Sequence, residues 1–151
     1  MTEKCQSRRL VRFWSEHYVQ RNGSQSNDLL KCGYHIQEDS SDYYAQPNDP
    51  LLVSCIYWKA VDKYFITSVD YIRLLEGLLR VRYTFQEKNR VRRNLSAFSN
   101  ITIKNNDPKT VDFYKLIMSY SNPKPRNIDK DIKAFEWYTV PYAITKVINR
   151  F

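Results

Sequence analysis

Glycine, cysteine, histidine and long apolar runs are all scarce in this 151-residue chain, and each scarcity closes a route. The three glycines, Gly23, Gly33 and Gly77, are too few and too far apart for a glycine-rich phosphate loop. Neither a Gly-x-Ser-x-Gly nucleophile turn nor a His-Glu-x-x-His helix occurs, so no enzyme activity, small-molecule substrate or cofactor is expected. Cys5, Cys32 and Cys55 are odd in number and widely spaced, which fits reduced thiols inside the cell rather than a disulfide framework. Cys32 and His35 have the spacing of half a zinc site, but Cys5, Cys55 and His17 are scattered, so no metal is expected. No stretch approaches the roughly 20 apolar residues that span a bilayer, and residues 1–12 lack the apolar core and cleavage site of a secretory signal.

What is present is a globular composition with a lopsided charge. Apolar residues make up 42% and aromatics 15%, too rich for a disordered chain and enough for one domain over residues 1–151. Residues 1–79 hold 9 Lys and Arg against 10 Asp and Glu, a net of −1, while residues 80–151 hold 15 against 6, a net of +9. A basic C-terminal half points to an anionic partner, most commonly nucleic acid.

The order of periodic segments predicts an α+β fold: a small, mainly antiparallel sheet packed with about four helices. Arg8-Arg9-Leu10-Val11-Arg12-Phe13-Trp14 reads as a first strand, and residues 20–50 as mainly loop with a short strand near 30–36. Residues 51–59 and 63–67 suggest a hairpin running into a helix capped by Thr67 or Ser68, with Val69, Ile72, Leu75, Leu78 and Leu79 on its core face. Ile101-Thr102-Ile103 is a short strand, after which Asp107 caps a helix with Pro108 in first position and Val111, Tyr114, Ile117 and Met118 inward. Phe135-Glu136-Trp137 is strand-like, and residues 139–149 form a closing helix with Ala143, Ile144, Val147 and Ile148 facing in. Trp14, Trp58 and Trp137 are each flanked by apolar residues and are expected in the core.

Residues 84–98 carry most information. Thr84 and Glu87 form a capping box, and Val91, Leu95 and Phe98 make one apolar stripe opposite Asn89 and Arg93. On the water-facing side Lys88, Arg90, Arg92 and Arg93 can neutralise phosphates while Asn89 and Asn94 offer amides to base edges. The plainer alternative is a solvated face, although such faces usually mix signs, and the run from 88 to 93 contains no acid. Residues 122–130 place Lys124, Arg126, Asn127 and Lys130 on a backbone stiffened by Pro123 and Pro125, which suits a contact arm or a rigid connector equally.

Arg8-Arg9-Leu10-Val11-Arg12-Phe13, Ser54-Cys55-Ile56-Tyr57-Trp58, Thr67-Ser68-Val69-Asp70, Glu87-Lys88-Asn89-Arg90-Val91-Arg92-Arg93-Asn94-Leu95 and Asn122-Pro123-Lys124-Pro125-Arg126-Asn127-Ile128 follow one another in this order. Together they resemble the globular domain of the fungal Medusa family of developmental transcription regulators, over most of the chain. The resemblance implies a nuclear protein controlling morphogenesis and sporulation genes, without enzyme activity, cofactor or metal. The family's segment before the double arginine, with Trp, acidic residues and Gly, differs from Lys4-Cys5-Gln6-Ser7, and residues 15–50 diverge from the family as a variable loop region would. Residues 89–96 also resemble the recognition helix of forkhead winged-helix proteins. The expected function is therefore duplex DNA binding through the basic helix and the Pro/Arg/Lys arm. The alternative is a module recruiting acidic proteins among other transcription regulators.

Overall fold

The structure, a computed structural model, describes residues 8–23, 25–37, 51–120, 125 and 131–150. Six strands form one sheet: β1 Arg8–Asn22, β2 Gln25–Gln37, β3 Leu52–Trp58, β4 Lys63–Thr67, β5 Asn100–Ile103 and β6 Ile132–Glu136. Their spatial order is β2-β1-β3-β4-β6-β5, and every pairing is antiparallel. Among the described residues four helices accompany them: α1 Ser68–Leu79, α2 Phe85–Leu95, α3 Val111–Ser119 and α4 Val140–Arg150, the last entered through a 3₁₀ turn at Trp137–Thr139. The expected α+β class, with its antiparallel sheet, is what the chain adopts.

Strand alternation sends side chains to two cores. On one face Val53, Cys55, Ile66 and Phe135 meet α1, α2 and α4 through Leu75, Leu78, Val91, Leu95, Ala143 and Val147. On the other, Ile56, Trp58, Phe65, Ile103 and Ala134 are covered by Phe113 and Ile117 of α3. The sheet is thus the middle layer, and the basic helix and the closing helix lie on the same side of it.

Three expectations need correcting. Residues 20–37 are not loop: β1 runs to Asn22, and β2 pairs with it from Gln25 opposite Asn22 to Gln37 opposite Leu10. The signal was the dipeptide Gly23-Ser24 between the two runs, since Gly23 turns the hairpin at φ +63° without a side-chain penalty. Gly33 is a mid-strand residue facing Trp14, and a Cβ there would come within 2.5 Å of the indole. Trp14 therefore spreads over its cross-strand neighbour at the surface, 38% exposed, and does not enter the core. Third, α3 begins at Val111, three residues beyond the expected first position. Asp107 still caps the turn before it, accepting the Lys109 N–H at 2.9 Å, and the fully buried aromatic is Phe113, which the expected face omitted.

The junction of β4 and α1 holds a buried carboxylate. The chain leaves the sheet at Thr67, whose hydroxyl accepts the Asp70 N–H at 3.3 Å, so the N–H of Ser54 on β3 loses its ladder partner. Asp70 Oδ2 takes that N–H at 3.0 Å instead, and Arg73 stands 3.7 Å from Oδ1. Burial pushes the Asp70 carboxyl up from the ordinary 3.8 to about 7, against the pull of the Ser54 N–H, Arg73 and Arg8. An acid raised in the folded state favours folding when protonated. Its contribution is complete below about pH 4 and is lost as pH rises through about 7. Asp70→Asn keeps an acceptor for Ser54 without the charge. It should be more stable than wild type at pH 8, by on the order of 2–4 kcal/mol, with the gap less than half as large at pH 5. Urea midpoints of both proteins at the two pH values test this; a gap independent of pH would rule it out.

Candidate nucleic-acid interface

Helix α2 is built as its local sequence requires. Thr84 Oγ1 accepts the Glu87 N–H at 3.2 Å and Glu87 Oε1 accepts the Thr84 N–H at 3.0 Å, completing the capping box. The Thr84 N–H and hydroxyl, and then the nearby Arg90, hold the Glu87 carboxyl below its usual range. This acid is thereby committed to the helix start and its dipole, leaving the outer face to cations. Val91 and Leu95 are buried and Phe98 packs beside them, which seats the helix against α1 and α4.

Arg90, Arg92 and Arg93 are exposed, while Lys88, Asn89 and Asn94 are half-buried. Arg92 Nη1 donates to Asn89 Oδ1 at 2.9 Å. A bidentate contact from Asn89 to adenine needs that oxygen, so Arg92 must let go first. Asn94 is already engaged within the protein. Base reading through Asn89 is therefore less direct than its helical position suggested. Arg92 and Arg93 also lie in the last turn, where positive charge offsets the helix dipole by roughly 0.3–1 kcal/mol, a structural role that does not compete with binding.

The fold adds residues that linear spacing could not group. Lys133 of β6 donates to Ser96 Oγ at 3.0 Å, and the Lys146 ammonium of α4 lies 5.5 Å from the centre of the Phe98 ring. Both lysines thus converge on the C-terminal end of α2, next to Arg92 and Arg93. Their only signal in the sequence was the +9 of the second half. Phe85, at the start of the helix, is exposed and falls at i, i+4, i+7 with Asn89 and Arg92, giving the charged stripe an apolar tip.

Lys124, Arg126, Asn127 and Lys130 lie outside the described residues. Cys32 and His35 are three apart on β2 and so point to opposite faces, which separates the two halves of the zinc-like spacing. Among the described residues no three His, Cys, Asp or Glu side chains gather into a group that could hold a metal, and no helix is long and apolar enough to cross a membrane.

A family model described as a domain of unknown function, DUF7082, matches residues 1–148. The chain belongs to this family. No curated protein and no solved structure matches it. As a DUF7082 domain it therefore takes its functional assignment from its own chemistry: an acid-free, arginine-rich helix face extended by lysines from β6 and α4.

Proposed function

We propose that this DUF7082 domain is a nuclear transcription regulator of fungal development that binds duplex DNA through the exposed side of α2. The observation that carries the proposal is the cluster of Arg90, Arg92 and Arg93, all exposed, on a helix whose one acid is tied up in its cap. A helix about 10–12 Å wide fits the major groove, where arginine pairs with guanine edges and the flanking cations meet phosphates. The Medusa resemblance supports the nuclear and developmental setting, and the forkhead-like run 89–96 supports docking in the groove. Residues 122–130 would supply backbone contacts, on the strength of their sequence alone.

The test is selection from a randomised duplex pool by the purified protein, with salt titrated on the bound fraction. Specific recognition gives a recurring motif and a log–log salt slope of several units, each phosphate contact adding roughly 0.9. A steep slope without a motif reduces the claim to generic phosphate binding. Absence of binding at low salt rejects it and leaves the same face for an acidic protein partner.

A further inference from the structure

A groove of about 580 Å³ opens between the β1–β2 ribbon and α4, walled by Phe13, Tyr34, Trp137, Tyr138, Pro141 and Tyr142. Its size is that of a ligand site, and five of its eleven lining residues are aromatic. Phe13 supports two of them, with ring centres 5.5 Å from Tyr34 and 6.2 Å from Trp137. Tyr34, Tyr138 and Tyr142 are 56%, 62% and 66% exposed, so three aromatic side chains stand in water around one cleft. A fold with a full core gains nothing from that arrangement unless another molecule covers it.

Charge decides between occupants. Helix α4 joins the groove to the basic cluster: Pro141, Tyr142 and Thr145 line the cleft, while Lys146, one turn on from Tyr142, lies over the Phe98 ring at the end of α2. The two surfaces therefore adjoin along α4, with Tyr142 and Lys146 as i,i+4 neighbours at their border. Planar π faces beside a cationic ridge match unpaired nucleotides, whose bases stack on aromatic rings while their phosphates need cations. We propose that the groove binds the bases of a single-stranded DNA end that leaves a duplex held on α2. This rests on the DNA-binding reading above and adds a junction of duplex and single strand as the preferred target.

The test compares three probes on the whole 151-residue chain by fluorescence anisotropy: a blunt duplex, the same duplex with a four-thymidine overhang of either polarity, and oligothymidine alone. One overhang polarity should tighten binding about tenfold or more, as expected for at least one stacked base. Tyr138→Ala with Tyr142→Ala should erase that gain and leave blunt-duplex affinity unchanged, since both side chains are largely exposed and neither lies on α2. Cys32, a half-buried thiol in the groove wall, should alkylate more slowly with the overhang bound.

Equal affinity for blunt and overhung duplexes, or a gain that survives the double tyrosine variant, overturns the groove and leaves the α2 reading intact. Oligothymidine binding without duplex binding does the reverse. If a proline-rich peptide protects Cys32 and oligothymidine does not, the groove belongs to a peptide and the proposal is wrong. Binding to none of the probes rejects both.

Discussion

Replacing Arg90 and Arg93 together with alanine is expected to weaken duplex binding about 10- to 100-fold at physiological salt and to lower the log–log salt slope by nearly two units. Each substitution removes one phosphate contact, worth roughly a factor of three to ten at that salt, so that the two together give this range. The fold should not respond. Both side chains are exposed, neither joins the Val91–Leu95 stripe, and alanine is at least as good a helix former as arginine. Thermal melts of the variant should overlay those of wild type, which separates binding from unfolding. An unchanged affinity in a folded double variant would remove α2 from the interface.

The second large effect is on stability and comes from the opposite face. Phe113 is fully buried, stacked on Trp58 with ring centres 4.6 Å apart and planes 2° apart, and edge-on to Phe65 at 5.7 Å. With Ile117 it is the main attachment of α3 to the sheet. Phe113→Ala should cost about 3–5 kcal/mol, the removed ring plus the cavity left behind. For a domain of this length that is a fall in Tm of roughly 10–15 °C. Phe113→Leu, which keeps most of the volume, should lose much less. A melt shifted by only a degree or two would mean that α3 contributes little to the fold. Below its lowered Tm the alanine variant should still bind DNA, because the sheet lies between α3 and α2.

What the sequence made legible followed from local rules. The Thr84–Glu87 capping box, the β3–β4 hairpin running into α1 and the place of Pro141 in the first turn of α4 each depend on a few neighbouring residues. What stayed hidden depended on partners far along the chain. Polar Gln25 to Asn27 gives no strand signal, yet the register set at Gly23 carries it into β2. Trp14 looked like core because apolar neighbours flank it; its actual partner is the empty side of Gly33 on the next strand. At the site, Arg90, Arg92 and Arg93 were visible as one face of a helix. Lys133 and Lys146 were not, because β6 and α4 bring them to it from other segments. The groove was invisible for the same reason: its walls come from β1, β2, the 3₁₀ turn and α4.

The sheet order also sets a schedule for the growing chain. Strands β1 to β4 pair with near neighbours in sequence, so that four of the six strands can form once Thr67 has been made. The far side of β4 is different, because its partner β6 begins only at Ile132 and must slot in between β4 and β5. At roughly 5–20 residues per second, β4 waits several seconds on the ribosome as an unpaired edge beside the uncovered Phe65 and Ile66. During that interval the nascent chain is most open to wrong strand pairing. Chaperone demand should therefore peak before the basic half of the protein has been completed.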